Sequence, residues 1–293
     1  MNYDQICDEI KNKRSYLCIG LDSDLDKIPK HLLKYKDPIF EFNKLVVDAT
    51  KDIVIAYKPN LAFYEVLGSE GIKTLQKTIN YLPDNIFKIA DAKRGDIGNT
   101  SIMYAKTFFE TLDFDAVTLS PYMGKDSVDP YLDYKNKWAI ILALTSNESA
   151  KEIQLISSDK GEKLYESVIN DSLKWSNPEN LMYVVGANRE EDLLNIRKII
   201  PDSFILIPGV GAQGGDLKKI SNAGMNKNCG IMVNVSRSII YSDKSTNFEE
   251  SVRKSALNIQ KEMEQILLLS LIHISEPTRP ERIGGCGGGG EKK

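Results

Sequence analysis

Short apolar runs rich in β-branched and aromatic residues recur along the chain, each followed by a longer stretch with helical spacing. The runs are YLCIGL (16–21), IVIAY (53–57), FKIA (87–90), AVTL (116–119), WAIILAL (138–144), LMYVV (181–185), FILI (204–207) and IMVNV (231–235). Runs of this length bounded by polar residues read as strands. The stretches between them predict helices over residues 2–14, 37–51, 69–81, 99–112, a short piece near 126–134, 160–175, 190–199, 216–223 and 248–268. In 37–51, Phe40, Leu45 and Val46 are available for a buried face, and Ser69 is a candidate N-cap for 69–81. Eight strands alternating with helices, without a hairpin signal, predict an α/β fold: a single (β/α)8 TIM barrel over residues 1–268. An open doubly wound sheet is the alternative. Its first strand-to-helix turn would carry a glycine-rich fingerprint, and here that turn reads LDSDLDK.

The pattern stops near Leu269. Residues 269–293, LSLIHISEPTRPERIGGCGGGGEKK, show prolines, then glycines, and no periodicity. LIHISEPTR resembles a translated sequencing adapter, so this tail reads as foreign to the natural protein; a genuine disordered tail is the other reading.

Composition narrows the chemistry. A net charge of −3 gives no electrostatic footprint for nucleic acid, and no apolar run approaches membrane-spanning length. The charged N-terminus does not read as a signal peptide, so a cytoplasmic location is expected. The four cysteines are scattered without a C-x-x-C pair, and the two histidines have no second ligand at metal-binding spacing. Neither a disulfide framework nor a structural zinc site is expected. Proton transfer near neutral pH then falls to Lys, Asp, Glu, Tyr or Cys.

In such a barrel the C-terminal strand ends build the active face. Here they carry Asp22, Lys58, Asp91 with Lys93, Ser146, Gln213 and Arg237. The third strand runs into DAKRGD, and strand alternation points Asp91 and Lys93 the same way, with Asp96 in the following loop. Alone, D-x-K-x-x-D also fits a solvated loop of alternating charges. A lysine between carboxylates keeps its proton, which suits delivery of a proton to a carbanion better than Schiff-base chemistry. After the seventh strand, PGVGAQGGD lets backbone N–H groups approach an anion and opens onto a helix N-terminus. Arg237 adds a fork-shaped donor, so a phosphorylated ligand is expected.

DAKRGDIGNT, with CIGLDSD, YKPN, PYMGKDS, LTSN, PGVGAQGGD and VNVSR in that order, closely resembles the orotidine 5′-phosphate decarboxylase family over residues 2–268. PYMGKDS and LTSN point to its longer bacterial subfamily, type 2. The resemblance implies cofactor-free and metal-free conversion of orotidine 5′-monophosphate to uridine 5′-monophosphate (UMP) and carbon dioxide, the last step of de novo pyrimidine synthesis. It implies that Lys93 protonates C6, Asp91 faces the substrate carboxylate, and Lys58 bridges Asp91 and the ribose. By the same resemblance, Asp22 contacts ribose hydroxyls, Ser146 the pyrimidine, and Gln213, Gly214 and Arg237 the phosphate. Asp24 lies near Asp22, and Thr145 and Asn147 flank Ser146, as neighbouring alternatives. The resemblance further implies a homodimer in which Asp96 and Thr100 enter the partner's site, and a closing loop at residues 209–215. Two other readings share the barrel: a metal-dependent phosphosugar decarboxylase or epimerase, and a non-catalytic phosphate-binding barrel.

Overall fold

Strand and helix alternate from the first residues onward in the computed structural model, which describes residues 1–176, 178–210 and 215–275. The first half contains α1 (Tyr3–Lys13), β1 (Leu17–Gly20), α2 (Pro38–Thr50), β2 (Ala56–Lys58), α3 (Ala62–Glu65), α4 (Gly68–Tyr81), β3 (Phe87–Arg94), α5 (Gly98–Lys106) and β4 (Ala116–Leu119). The second half contains α6 (Asp129–Leu132), β5 (Trp138–Leu144), α7 (Leu164–Ser172), β6 (Leu181–Val185), α8 (Glu190–Ile199), β7 (Ile205–Pro208), α9 (Leu217–Gly224), β8 (Ile231–Val235), α10 (Arg237–Ile240) and α11 (Phe248–Ser275). The strands pair in sequence order, all parallel, and β8 pairs with β1 to close the barrel. The open-sheet alternative is thereby excluded.

Every residue of β1, β2, β4, β6 and β8 is buried. Strands covered by side chains within the barrel and helices outside need apolar residues on both faces, which is why they appear as unbroken runs. At the N-terminal strand ends Trp138 lies edge-on to Phe87 and Phe204, with ring centroids 6.2 and 6.4 Å away. Tyr3 joins this aromatic floor, 5.1 Å from Phe204. The polar groups lie at the other end.

Several local expectations change. The buried stripe of α2 is Ile39, Phe42, Val46 and Val47; Phe40 and Leu45 are half-buried, because the i, i+3, i+7 register starts one residue earlier. Helix α4 starts at Gly68 behind Leu67 without a side-chain cap, so Ser69 is not its N-cap. The 160–175 segment becomes helical at Leu164, where the Lys163 N–H donates to Glu166. The 99–112 segment continues α5 as a π-helical turn, Thr107–Thr111. Helix α11 runs seven residues past Leu268 to Ser275. Among the described residues no helix is long and apolar enough to cross a membrane.

Gly186, just after β6, lies against the end of β5. A Cβ built there would stand 2.8 Å from the N, Cα and Cβ of Ser146, atoms that cannot swing aside. Gly186→Ala is expected to lower stability by about 1–3 kcal/mol, as overpacking does. A urea titration beside the parent checks this, and an unchanged midpoint would contradict the contact.

Candidate active site

Adjacent strands bring Lys58 and Asp91 together. Lys58 ends β2, and Asp91 sits on β3, whose hydrogen bonds to β2 carry on past the strand: the Asp91 N–H donates to the Pro59 carbonyl and the Leu61 N–H to that of Asp91. The Lys58 Nζ donates to Asp91 Oδ2 at 2.6 Å, and the Lys93 Nζ to Oδ1 at 2.5 Å. Both carboxylate oxygens therefore face an ammonium group. Side-chain exposures of 5% for Lys58, 10% for Asp91 and 50% for Lys93 show that the first pair is buried while Lys93 stands over it. Burial alone would raise the Asp91 carboxyl; the two ammonium groups outweigh it and hold it at about 2. Burial also works against the Lys58 ammonium, and the charges of Asp91 and Asp22 overcome that and raise its pKa.

Lys93 reaches Asp91 by a route that strand alternation did not foresee. Its φ is +48°, in the left-handed region. Ala90 pairs with Val117 and Arg94 with Leu119, so three residues of β3, Asp91, Ala92 and Lys93, oppose one residue of β4, Thr118. This bulge turns the lysine back over the aspartate.

A cavity of about 160 Å³ opens beside the pair, lined by Asp22, Lys58, Asp91, Pro208, Gly209, Val210, Asn234, Ser236 and Arg237. Asp22 Oδ1 is buried without a hydrogen-bond partner among the described residues, an acceptor suited to a hydroxyl of a ligand. Asp24 is engaged elsewhere, 2.9 Å from Lys27. Tyr241 fixes this turn: its hydroxyl accepts the Asp24 N–H and donates to the Asp22 carbonyl, both at 2.8 Å. Arg237 opens α10, exposed, with no ion pair or hydrogen bond from its guanidinium to another described residue. Gly209 has a φ of +100°, which suits glycine, and Val210 pairs with Gly215 across the base of the loop. Gln213 and Gly214 lie outside the described residues.

Ser146, Asp96 and Thr100 do not line this cavity. Ser146 follows β5, and its carbonyl accepts from Asn188. Its neighbours Thr145 and Asn147 bond to each other, at 2.6 Å. Asp96 accepts from its neighbour Ile97 N–H, and Thr100 is exposed on α5. Asn234 and Ser236 were missed because nothing in IMVNVSR separates a side chain facing the barrel mouth from one packed below it. Cys18, whose thiol contacts Asn234 at 3.5 Å, is pushed up to about 12 by burial and stays neutral. Among the described residues no group of three or more His, Cys, Asp or Glu is arranged to hold a metal ion.

Fold and site together define a parallel eight-stranded barrel with lysine and aspartate gathered at the strand ends. The family model of orotidine 5′-phosphate decarboxylase and HUMPS matches residues 15–250, and the chain belongs to this family. It is 56% identical to the orotidine 5′-phosphate decarboxylase of Flavobacterium johnsoniae over 270 residues, 91% of this chain and 98% of that protein. The corresponding protein of Phocaeicola vulgatus is 54% identical, covering 91% of this chain and 99% of its own. Among solved structures, the Leishmania donovani OMP decarboxylase superposes with a TM-score of 0.79 at 32% identity, covering 92% of this chain and 99% of that one.

The pKa of Asp91 makes a stability prediction. Its carboxyl falls from an ordinary 3.8 to about 2 on folding, so its contribution is complete above about pH 4 and fades as pH drops toward 2. The parent should lose about 2–3 kcal/mol across that window through this group. Denaturant titrations at stepped pH should show a shallower acid limb for Asp91→Asn; equal limbs would remove Asp91 as the source.

Proposed function

We propose that this chain decarboxylates orotidine 5′-monophosphate to UMP, with Lys93 as the proton donor. The observation that carries the assignment of roles is the Lys58–Asp91–Lys93 array, a fixed alternation of charge beside a cavity that ends at Arg237. In the reaction the C6–carboxylate bond breaks, carbon dioxide departs, and the electron pair stays on C6. The Lys93 ammonium faces that charge, stabilises it, and delivers the proton that completes UMP; water then restores the lysine's proton. Lys58 holds Asp91 in place and reaches toward the ribose, while Asp22 accepts from a ribose hydroxyl. Arg237, with Gln213 and Gly214, holds the phosphate, and Ser146 contacts the pyrimidine. Binding at the remote phosphate positions the base against the array. No cofactor takes part.

The working unit in this reading is a homodimer. Asp96 and Thr100 are close in sequence to Ile97, Ile102 and Met103, large apolar side chains 54%, 41% and 48% exposed. A second subunit seated there would bury them and receive both polar residues in its own site. The barrel domain in this reading is residues 1–268, and residues 269–293 have no part in the chemistry. A cytoplasmic location fits the buried free thiols of Cys7, Cys18 and Cys229. The metal-dependent phosphosugar reading calls for several carboxylates around one cation, whereas both Asp91 oxygens are held by lysines and Asp22 is the one other carboxylate lining the cavity among the described residues.

Lys93→Ala should lower kcat by about 10³-fold or more, read as ultraviolet loss of orotidine 5′-monophosphate in the presence of chelator. Parent activity that vanishes with chelator would favour the metal-dependent reading instead. Lys93→Ala and Asp96→Asn, each inactive alone, should recover about one quarter of parent activity when mixed and allowed to exchange subunits, since half the dimers then hold one intact site. No recovery after verified exchange would place Asp96 in its own subunit's site.

A further inference from the structure

Thr118 faces the three-residue bulge of β3 from β4 with its side chain fully buried, and its hydroxyl replaces the missing backbone ladder. Its Oγ1 accepts the N–H of Ala92 at 3.0 Å and the N–H of Lys93 at 2.9 Å. Its single proton has two acceptors in reach, Asp91 Oδ1 at 3.3 Å and the Ala90 carbonyl at 3.5 Å. One hydroxyl therefore ties together the backbone of the left-handed lysine and lies against the carboxylate that the lysine opposes. A valine in its place would have the same shape but could accept neither N–H, leaving two part-buried donors without this partner at the turn that aims Lys93.

We propose that Thr118 is a positioning residue for the reaction: it sets the backbone turn of Lys93 and the orientation of Asp91, and so the aim of the proton donor, without touching substrate. This rests on the reading of Lys93 as proton donor. A residue that only stabilised the barrel would change how much protein folds. Thr118 instead sets kcat per folded site, because nucleotide binding through Asp22 and the phosphate loops lies on other strands.

The test compares Thr118→Val and Thr118→Ser with the parent and Lys93→Ala, all confirmed folded by circular dichroism. Readouts are kcat, KM for orotidine 5′-monophosphate, and UMP affinity by calorimetry. Thr118→Val should lower kcat by about 10–100-fold, the size seen when a positioned donor is lost or misplaced. KM and UMP affinity should stay within about threefold, and Thr118→Ser, which keeps the hydroxyl, should stay near parent kcat. If Thr118→Val does not accumulate as folded protein, Thr118→Ala removes the hydroxyl and leaves room for water to reach the two N–H groups, and is read the same way. Parent-like kcat in a folded variant lacking the hydroxyl would overturn the proposal, as would an equal loss in Thr118→Ser, which would assign the effect to volume. If Lys93→Ala itself retained activity, the proton-donor reading would fail first, and the two failures are distinguishable.

Discussion

A carboxylate nine-tenths buried at the mouth of a barrel is tolerable only if its charge is met on the spot. Isolated, it would cost several kcal/mol of lost hydration, and the group would take up a proton. Asp91 meets this condition on both oxygens, with Lys58 and Lys93 at hydrogen-bond distance. Lys58 has the complementary problem: a buried ammonium needs Asp91, with Asp22 adding to the field. Each charge keeps the other ionised, so the array is set before any substrate arrives. Preorganisation of this kind lets fixed charges stabilise a developing anion without first rearranging.

Several features of the fold serve that one constraint. Parallel pairing of β2 with β3 puts the two side chains on neighbouring strands, about 4.8 Å apart by sheet geometry. Backbone hydrogen bonds from Asp91 to Pro59 and from Leu61 to Asp91 extend the pairing past the last residue of β2. The bulge then holds Lys93 in a backbone conformation that costs a non-glycine residue about 1–2 kcal/mol. Thr118, buried beneath it, supplies the acceptor that keeps the turn satisfied. Strain gathered at this point and offset from the next strand is a pattern associated with functional sites.

The opposite end of the barrel is built differently. Trp138 packs edge-to-face with Phe87 and Phe204 there and Tyr3 tilts against Phe204, so the strands are anchored at their beginnings and carry polar groups at their ends. This division lets the mouth hold unpaired acceptors such as Asp22 Oδ1 while the floor carries the packing. It also explains why Gly186 is needed near the top, where the ends of β5 and β6 crowd together before the loops diverge.

The eight strands were legible in the chain because a strand covered on both faces must be apolar throughout, and AVTL, WAIILAL, LMYVV and IMVNV form strands with the expected bounds. Asp22, Lys58, Asp91 and Arg237 were legible for a related reason: charges that follow such runs fall at the barrel mouth, where they line one cavity. Thr118 was not, since a threonine within AVTL reads as an ordinary strand residue until the bulge opposite it is known. The proximity of Lys93 to Asp91 was expected from alternation, yet it arises from a left-handed turn, because pairing with β4, not local propensity, decides where the ladder slips. Residue order along the chain set which groups reach the mouth. Cross-strand register, a property of residues distant in sequence, decided how they are aimed.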